Sequence, residues 1–259
     1  MSGHVRLLID GGDHGAVALV TLSNPAKFNA MSRAMWRELR QVFTGLQARS
    51  DVRAVVVAGE GGHFCAGGDI AEYTDFRFHP EGLRDFHEND VWGGLSAMLA
   101  CDLPIVAQIE GNCMGAGVEI ASCGDIRIAG QGARFGAPIA KLGFPMAPRE
   151  AELVARETGL ATARQLLLEA ALLDAPTMQV RGFVQTVVHD ADVPTEALQR
   201  VHRIARLAPQ AARLNKQMLR ALADGQAAQA LLPTAYVYAD SAEHREGIAA
   251  FLAKRPPNF

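Results

Sequence analysis

Two stretches of this chain share one design. RAVVVAGEGGHFCAGGDI (residues 53–70) and LPIVAQIEGNCMGAGVEIASCGD (residues 103–125) each run a β-branched, apolar segment into a glycine-rich turn, and the second continues into a helix. A continuous Val/Ile run reads as a strand buried on both faces, which is the situation of a parallel sheet covered by helices. Repeated strand–turn–helix units therefore point to an α/β fold. In the second unit, Gly115, Ala116 and Gly117 open the helix. Free backbone N–H groups cluster there, and the helix dipole favours negative charge.

The rest of the chain fits this frame. Val5–Asp10 and Val17–Leu22 read as two strands joined around the turn GGDHG. Helical periodicity runs from Ser32 to Ala48, with Ser32 as N-cap before Met35, Leu39, Val42 and Leu46. Residues 73–90 are polar and aromatic without a clean period, and read as a mobile helix and loop. Helix is expected over 91–100, strand over 104–109 and 126–129, helix over 151–157 and 161–170, and strand over 183–188. From Thr195 onward the pattern is helical throughout: 196–206, 209–223, a break at Gly225, then 231–254. This divides the chain into an α/β core over 1–195 and a helical part over 196–259.

Two glycine turns side by side could aim two N–H donors at one oxygen, the device that stabilises charge developing on a carbonyl. Small residues let a substrate approach the backbone. Glu119 lies one turn into the second helix among Val118, Ile120 and Ala121. A carboxyl desolvated there has a raised pKa, which suits a general acid or base. Each feature has a plainer alternative: a glycine turn that only reverses the chain, and a Glu that only caps a helix in solvent. Neither turn has the spacing of a dinucleotide or P-loop phosphate cradle.

Composition excludes several other functions. The chain has 259 residues, 49% of them hydrophobic and 20% charged, with a formal net charge of −3, so no clustered basic footprint for nucleic acid is present. No apolar run reaches the length of a membrane span, and the N-terminal residues lack the pattern of a secretory signal. Cys65, Cys101, Cys113 and Cys123 form no CxxC and have no His at metal spacing, so they read as small buried hydrophobes. A reduced, cytoplasmic protein is the expectation.

Taken together, five segments in order resemble the crotonase superfamily, the enoyl-CoA hydratase/isomerase group. They are LSNPAKFNAMS (22–32), HFCAGGDI (63–70), IEGNCMGAGVEIASCGDIRIA (109–129), ARFGAP (133–138) and EGIAAFLAKRPPNF (246–259). The resemblance implies a spiral of ββα-type units followed by C-terminal helices that assemble a homotrimer or a dimer of trimers. It implies an acyl-CoA substrate, no metal, and no cofactor beyond the CoA carried by the substrate. By position it makes the N–H groups of Ala66 and Ala116 the donors to the thioester oxygen, and Glu119 the group that moves the proton. It sets Lys27, Phe28, Phe64, Gly67, Gly68, Asp69, Ile70, Gly115 and Ile139 along the CoA and substrate site. Phe251 and Lys254 fall in a tail that reaches the CoA of a neighbouring subunit. Each has a plainer reading beside this one: solvated lysines, ordinary packing of Phe28 and Phe251, and turn or helix-end hydrogen bonding for Asp69 and Asp125.

One departure matters. Family hydratases hold a water between two glutamates, and the second follows the Pro of an FGxPE pattern. Here the stretch is FGAPIAKLG, with Ile139 at that position, and FPMAPREAEL replaces a glycine-rich turn. The options left open are a single-glutamate reaction and other enolate chemistry, such as decarboxylation or thioester hydrolysis. Binding without turnover is another. The last is a second acid from elsewhere: Glu72, Asp75, Glu88, Asp90 or the Arg149–Glu150 pair, for all of which solvated surface is the plainer reading.

Overall fold

The computed structural model describes residues 3–12 and 16–259. Strands β1 (His4–Asp10) and β2 (Ala16–Ser23) pair antiparallel, from His4 opposite Ser23 to Asp10 opposite Val17. Residues 13–15 of the expected turn lie outside the described residues. Helix α1 (Arg33–Gln47) buries Met35, Trp36, Leu39, Phe43 and Leu46, which recur every three or four positions along one face. Ser32 caps it, its hydroxyl accepting from the Met35 N–H at 3.2 Å.

Strand β3 (Val52–Gly59) follows, and then the first glycine turn. A 3-10 turn (Ile70–Asp75), α2 (Pro80–Asp85) and a π-helical turn (Phe86–Val91) lead into α3 (Trp92–Ala100). The stretch expected to be irregular is thus mostly short helical turns. Next come β4 (Ile105–Ile109), β5 (Asn112–Met114), α4 (Ala116–Ser122), β6 (Ile126–Gly130) and β7 (Arg134–Gly136). A 3-10 turn (Pro138–Leu142) precedes α5 (Pro148–Thr158), α6 (Leu160–Leu168), β8 (Leu172–Asp174), α7 (Ala175–Val180) and β9 (Thr186–Val188). The chain ends with α8 (Val193–Ala205), α9 (Pro209–Ala223), α10 (Ala228–Leu231) and α11 (Ala242–Leu252).

The strands form a six-stranded sheet in the order β1-β2-β3-β4-β6-β9 and a three-stranded sheet in the order β5-β7-β8. From β2 to β9 the large sheet is parallel. Its β3 explains the RAVVVA run. Val55 and Val57 join the cluster of Trp36, Leu39 and Phe43 from α1, while Ala54 and Val56 pack with Val193, Ala197, Val201 and Ala205 of α8. Both faces are covered, so no polar alternation is tolerated. The division expected at residue 195 falls inside α8, and that helix packs on the large sheet.

Two features were not anticipated. Strands β5, β7 and β8 are three residues long, too short to show a period. The single helix expected over 231–254 is confined to α11 (Ala242–Leu252): α10 ends at Leu231 and a 3-10 turn (Leu232–Thr234) follows it. Pro233 cannot donate an N–H to continue a helix, and Ser241 starts α11 afresh by accepting from the His244 N–H at 3.2 Å. No helix among the described residues is long and apolar enough to cross a membrane.

Candidate active site

The two glycine turns lie against each other. The Cys65 N–H donates to Asn112 O and the Met114 N–H to Cys65 O, both at 2.8 Å, making a parallel bridge between the segments. The Phe64 N–H donates to Glu110 O at 2.8 Å and continues the seam. Gly115, at φ 47° and ψ −109°, occupies backbone space that side chains rarely enter, and its N–H donates to Gly136 O of β7. Gly117 lies so close to the first turn that a Cβ there would sit 2.7 Å from Cys65 O. Glycine is required at both positions, one for conformation and one for approach.

Beside this seam is a cavity of about 190 Å³. Ala66, Gly67, Gly68, Ile70, Gly115, Ala116, Glu119 and Ile139 line it. The N–H groups of Gly68 and Ala116 find no acceptor within the described residues. The Ala66 N–H does not fit its expected role: it donates to Phe28 O at 2.9 Å and is already committed to the backbone. The unpaired donor on the first turn is two residues further on, at Gly68.

Other expected site residues lie outside the cavity lining. Phe64 is fully buried in the core, so its side chain does not face substrate. Lys27 Nζ pairs with Asp69 Oδ2 at 2.6 Å, and Asp69 Oδ1 accepts from the Ala71 N–H at the start of the 3-10 turn. Phe28 is exposed and meets His63 edge-on at 4.7 Å. Phe251 is 82% exposed and Lys254 is exposed, at the end of α11 and just after it.

Glu119 is only 7% exposed, and its carboxyl makes no hydrogen bond among the described residues. Burial pushes its pKa well up, and the nearby Glu150 carboxyl pushes it further. Glu150 is the second carboxyl of the cavity. It is 3% exposed and sits in the first turn of α5, where Oε1 lies 2.8 Å from His87 Nδ1. Its neighbour Arg149 turns outward to Glu88 at 3.0 Å and over the Trp92 ring at 5.5 Å. The remaining acidic candidates do not line the cavity. Glu72 accepts from the Arg33 N–H, Asp90 is clamped by Arg33 and Arg37, and Asp75 and Glu88 are exposed.

Sequence reasoning placed Glu150 on the surface, yet a signal was present. Glu150, Leu153 and Val154 share one helical stripe, and all three are buried. His87 carried no such signal. It lies in the π-helical turn, a rare geometry that recurs at functional sites. Asp90 fixes that turn to α1 through the two arginines. The cavity wall is completed by Trp36, Tyr73, Phe86 and Phe144. Tyr73 Oη crowds Gly68, where an added Cβ would come within 2.0 Å of it, and burial pushes the phenol up to about 12. The four cysteines are free and buried, and burial raises the Cys65 thiol to about 12.

A parallel-stranded α/β spiral with paired glycine turns beside two buried carboxyls defines a class, and comparison with known proteins names it. The description Enoyl-CoA hydratase/isomerase matches residues 12–259, and the chain belongs to that family. It is 32% identical over 249 residues to a 2,3-dehydroadipyl-CoA hydratase of Escherichia coli, covering 94% of each chain. It is 30% identical over 250 residues to a short-chain-enoyl-CoA hydratase of Clostridium acetobutylicum, covering 93% of each. Among solved structures it superposes on an enoyl-CoA hydratase/carnithine racemase from Magnetospirillum magneticum with a TM-score of 0.93 and 34% identity. That match covers 100% of this chain and 96% of the other.

Proposed function

We infer that this protein hydrates the double bond of a short 2-enoyl-CoA, with Glu119 and Glu150 as its two carboxyls. The observation that carries the reading is the burial of both groups on one cavity beside the unpaired N–H groups of Gly68 and Ala116. Ile139 removes the expected second glutamate, which would otherwise favour single-carboxyl chemistry or binding alone. Glu150 returns a carboxyl to the same space from a different element.

The roles follow from environment. Glu119, desolvated and beside another carboxyl, is the group held neutral, so it is the acid. Glu150, whose Oε1 is held 2.8 Å from His87 Nδ1, is the base. A water between them gives a proton to Glu150 and its oxygen adds to C3. The C2–C3 π pair shifts toward the thioester, and the negative oxygen is held by the Gly68 and Ala116 N–H groups. C2 then takes the proton of Glu119 as the enolate collapses. The product carries the O–H of the water at C3 and the Glu119 proton at C2, while the other proton of the water stays on Glu150. Passage of the proton from Glu150 back to Glu119 resets the pair.

The test is a hydration assay with crotonyl-CoA and α-proton exchange in deuterated water, on the wild type, Glu119→Gln and Glu150→Gln. We expect hydration by the wild type and a roughly hundred- to ten-thousandfold loss of kcat in either variant. Full hydration by Glu150→Gln would refute the two-carboxyl reading. Exchange without hydration would move the reaction to isomerisation or other enolate chemistry.

A further inference from the structure

Arg77 is the charged group of the cavity that hydration leaves without a task. It lines the same space as Glu119 and Glu150. Its guanidinium carbon lies 3.6 Å from the centre of the Phe144 ring and 4.5 Å from that of Tyr73. Nη1 is out of contact with solvent and has no hydrogen-bond partner, and Arg77 makes no ion pair among the described residues. Burial lowers its pKa, so the protein holds this cation in spite of its surroundings.

Such a group is costly in a pocket for a hydrocarbon chain. A buried donor without an acceptor loses its water and regains nothing. Charge balance with Glu150 explains part of the placement, because Glu150 favours the cation through space. It leaves every guanidinium nitrogen without a hydrogen-bond partner among the described residues, and does not explain a planar cation held against two rings at the cavity. Guanidinium is matched in shape and charge by a carboxylate, which accepts two parallel N–H bonds. The cavity is about 190 Å³, a size that suits a short acyl chain.

We propose that the acyl group of the substrate ends in a carboxylate and that Arg77 binds it. The substrate class is then the CoA monothioester of a short, unsaturated dicarboxylic acid. Contact with Phe144 and Tyr73 restricts the guanidinium before substrate arrives, so little side-chain freedom is lost on binding. The neutral state of Glu119 keeps a second anion tolerable in the same cavity. This inference rests on the hydratase reading for the word unsaturated, but the recognition of the carboxylate does not require turnover.

The experiment is therefore binding of saturated thioesters matched in length: glutaryl-CoA against pentanoyl-CoA, and adipyl-CoA against hexanoyl-CoA. Calorimetric titration of the wild type is expected to favour the carboxylated member of at least one pair by roughly ten- to a hundredfold. Arg77→Gln is expected to bring that ratio to within about threefold of unity, and Arg77→Lys to leave it intermediate. Equal or weaker binding of both carboxylated ligands by the wild type overturns the proposal without any variant. A ratio that survives in a folded Arg77→Gln protein also overturns it. Failure of the hydratase reading shows separately, as absence of hydration of every enoyl-CoA while the binding ratio stands.

Discussion

Replacing Glu119 by Gln should make the protein more stable above pH 4.5 while slowing its chemistry by roughly a hundred- to ten-thousandfold. Burial and the Glu150 carboxyl raise the folded-state pKa of Glu119 above the ordinary carboxylate value of 4.5. Between those two pKa values the unfolded chain has released the proton and the folded chain still holds it. The folded state binds more protons, so the contribution of this group to stability falls as pH rises, by about 1.4 kcal/mol per pH unit for one proton. Glutamine has the shape of the neutral acid and no proton to lose. The difference in stability, variant minus wild type, should be near zero at pH 4.5. It should then climb with that slope until the folded pKa is reached. For a domain of this size the slope corresponds to roughly 3–5 °C in Tm per pH unit. Thermal melts of both proteins at pH 4.5, 5.5 and 6.5 at one ionic strength read it directly. Melting temperatures that run parallel across that range would falsify the assignment of Glu119 as a desolvated, neutral acid. The same curves in a Glu150→Gln background should level off at lower pH, because one of the two causes of the shift is gone.

Three further tests follow, two on the frame around the carboxyls and one away from it. Gly117→Ala drives a Cβ to 2.7 Å from Cys65 O and forces the two glycine turns apart. It should lower Tm by about 2–12 °C and reduce kcat/KM about a hundredfold. By contrast, Gly45→Ala in α1 meets nothing within 4 Å and should raise Tm by a degree or two. His87→Phe keeps a ring beside Phe86 but removes the donor to Glu150. As a positioning residue, His87 should affect kcat roughly tenfold or more with KM within about threefold, and His87→Asn should recover part of the loss; steady-state kinetics on crotonyl-CoA separates the two.

The parts of the fold that were legible are those whose physics is local or periodic. The RAVVVA strand, the capped helix from Ser32 and the two glycine turns can be read because burial on both faces, 3.6-residue spacing and free N–H groups each leave a pattern in order along the chain. Strands β5, β7 and β8 could not be read, since three residues hold no period and their pairing is long-range. Ala66 shows a limit of another kind. Counting along HFCAGGDI reaches the correct turn, but which N–H is free depends on the Phe28 carbonyl that comes to meet it from 38 positions earlier.

Glu150 carries the same point into the chemistry. A proton-transfer group is defined by where its oxygens stand relative to the reacting carbons and by what surrounds them, and neither quantity belongs to a sequence position. Ile139 occupies the expected place and lines the cavity, while the carboxyl enters the same space from the first turn of α5, set there by Pro148 and aimed by His87. Pro148 fixes the backbone where that helix begins, and Glu150 sits buried in its first turn. The consequence is a coupling that the motif alone does not contain. Because Glu150 raises the pKa of Glu119 and also lies 2.8 Å from His87 Nδ1, the proton affinity of Glu119 depends on the segment that presents His87, and so on the Asp90 clamp to Arg33 and Arg37. In this chain the least periodic stretch of sequence, 73–90, is the one that presents His87 to Glu150 and Arg77 to the cavity.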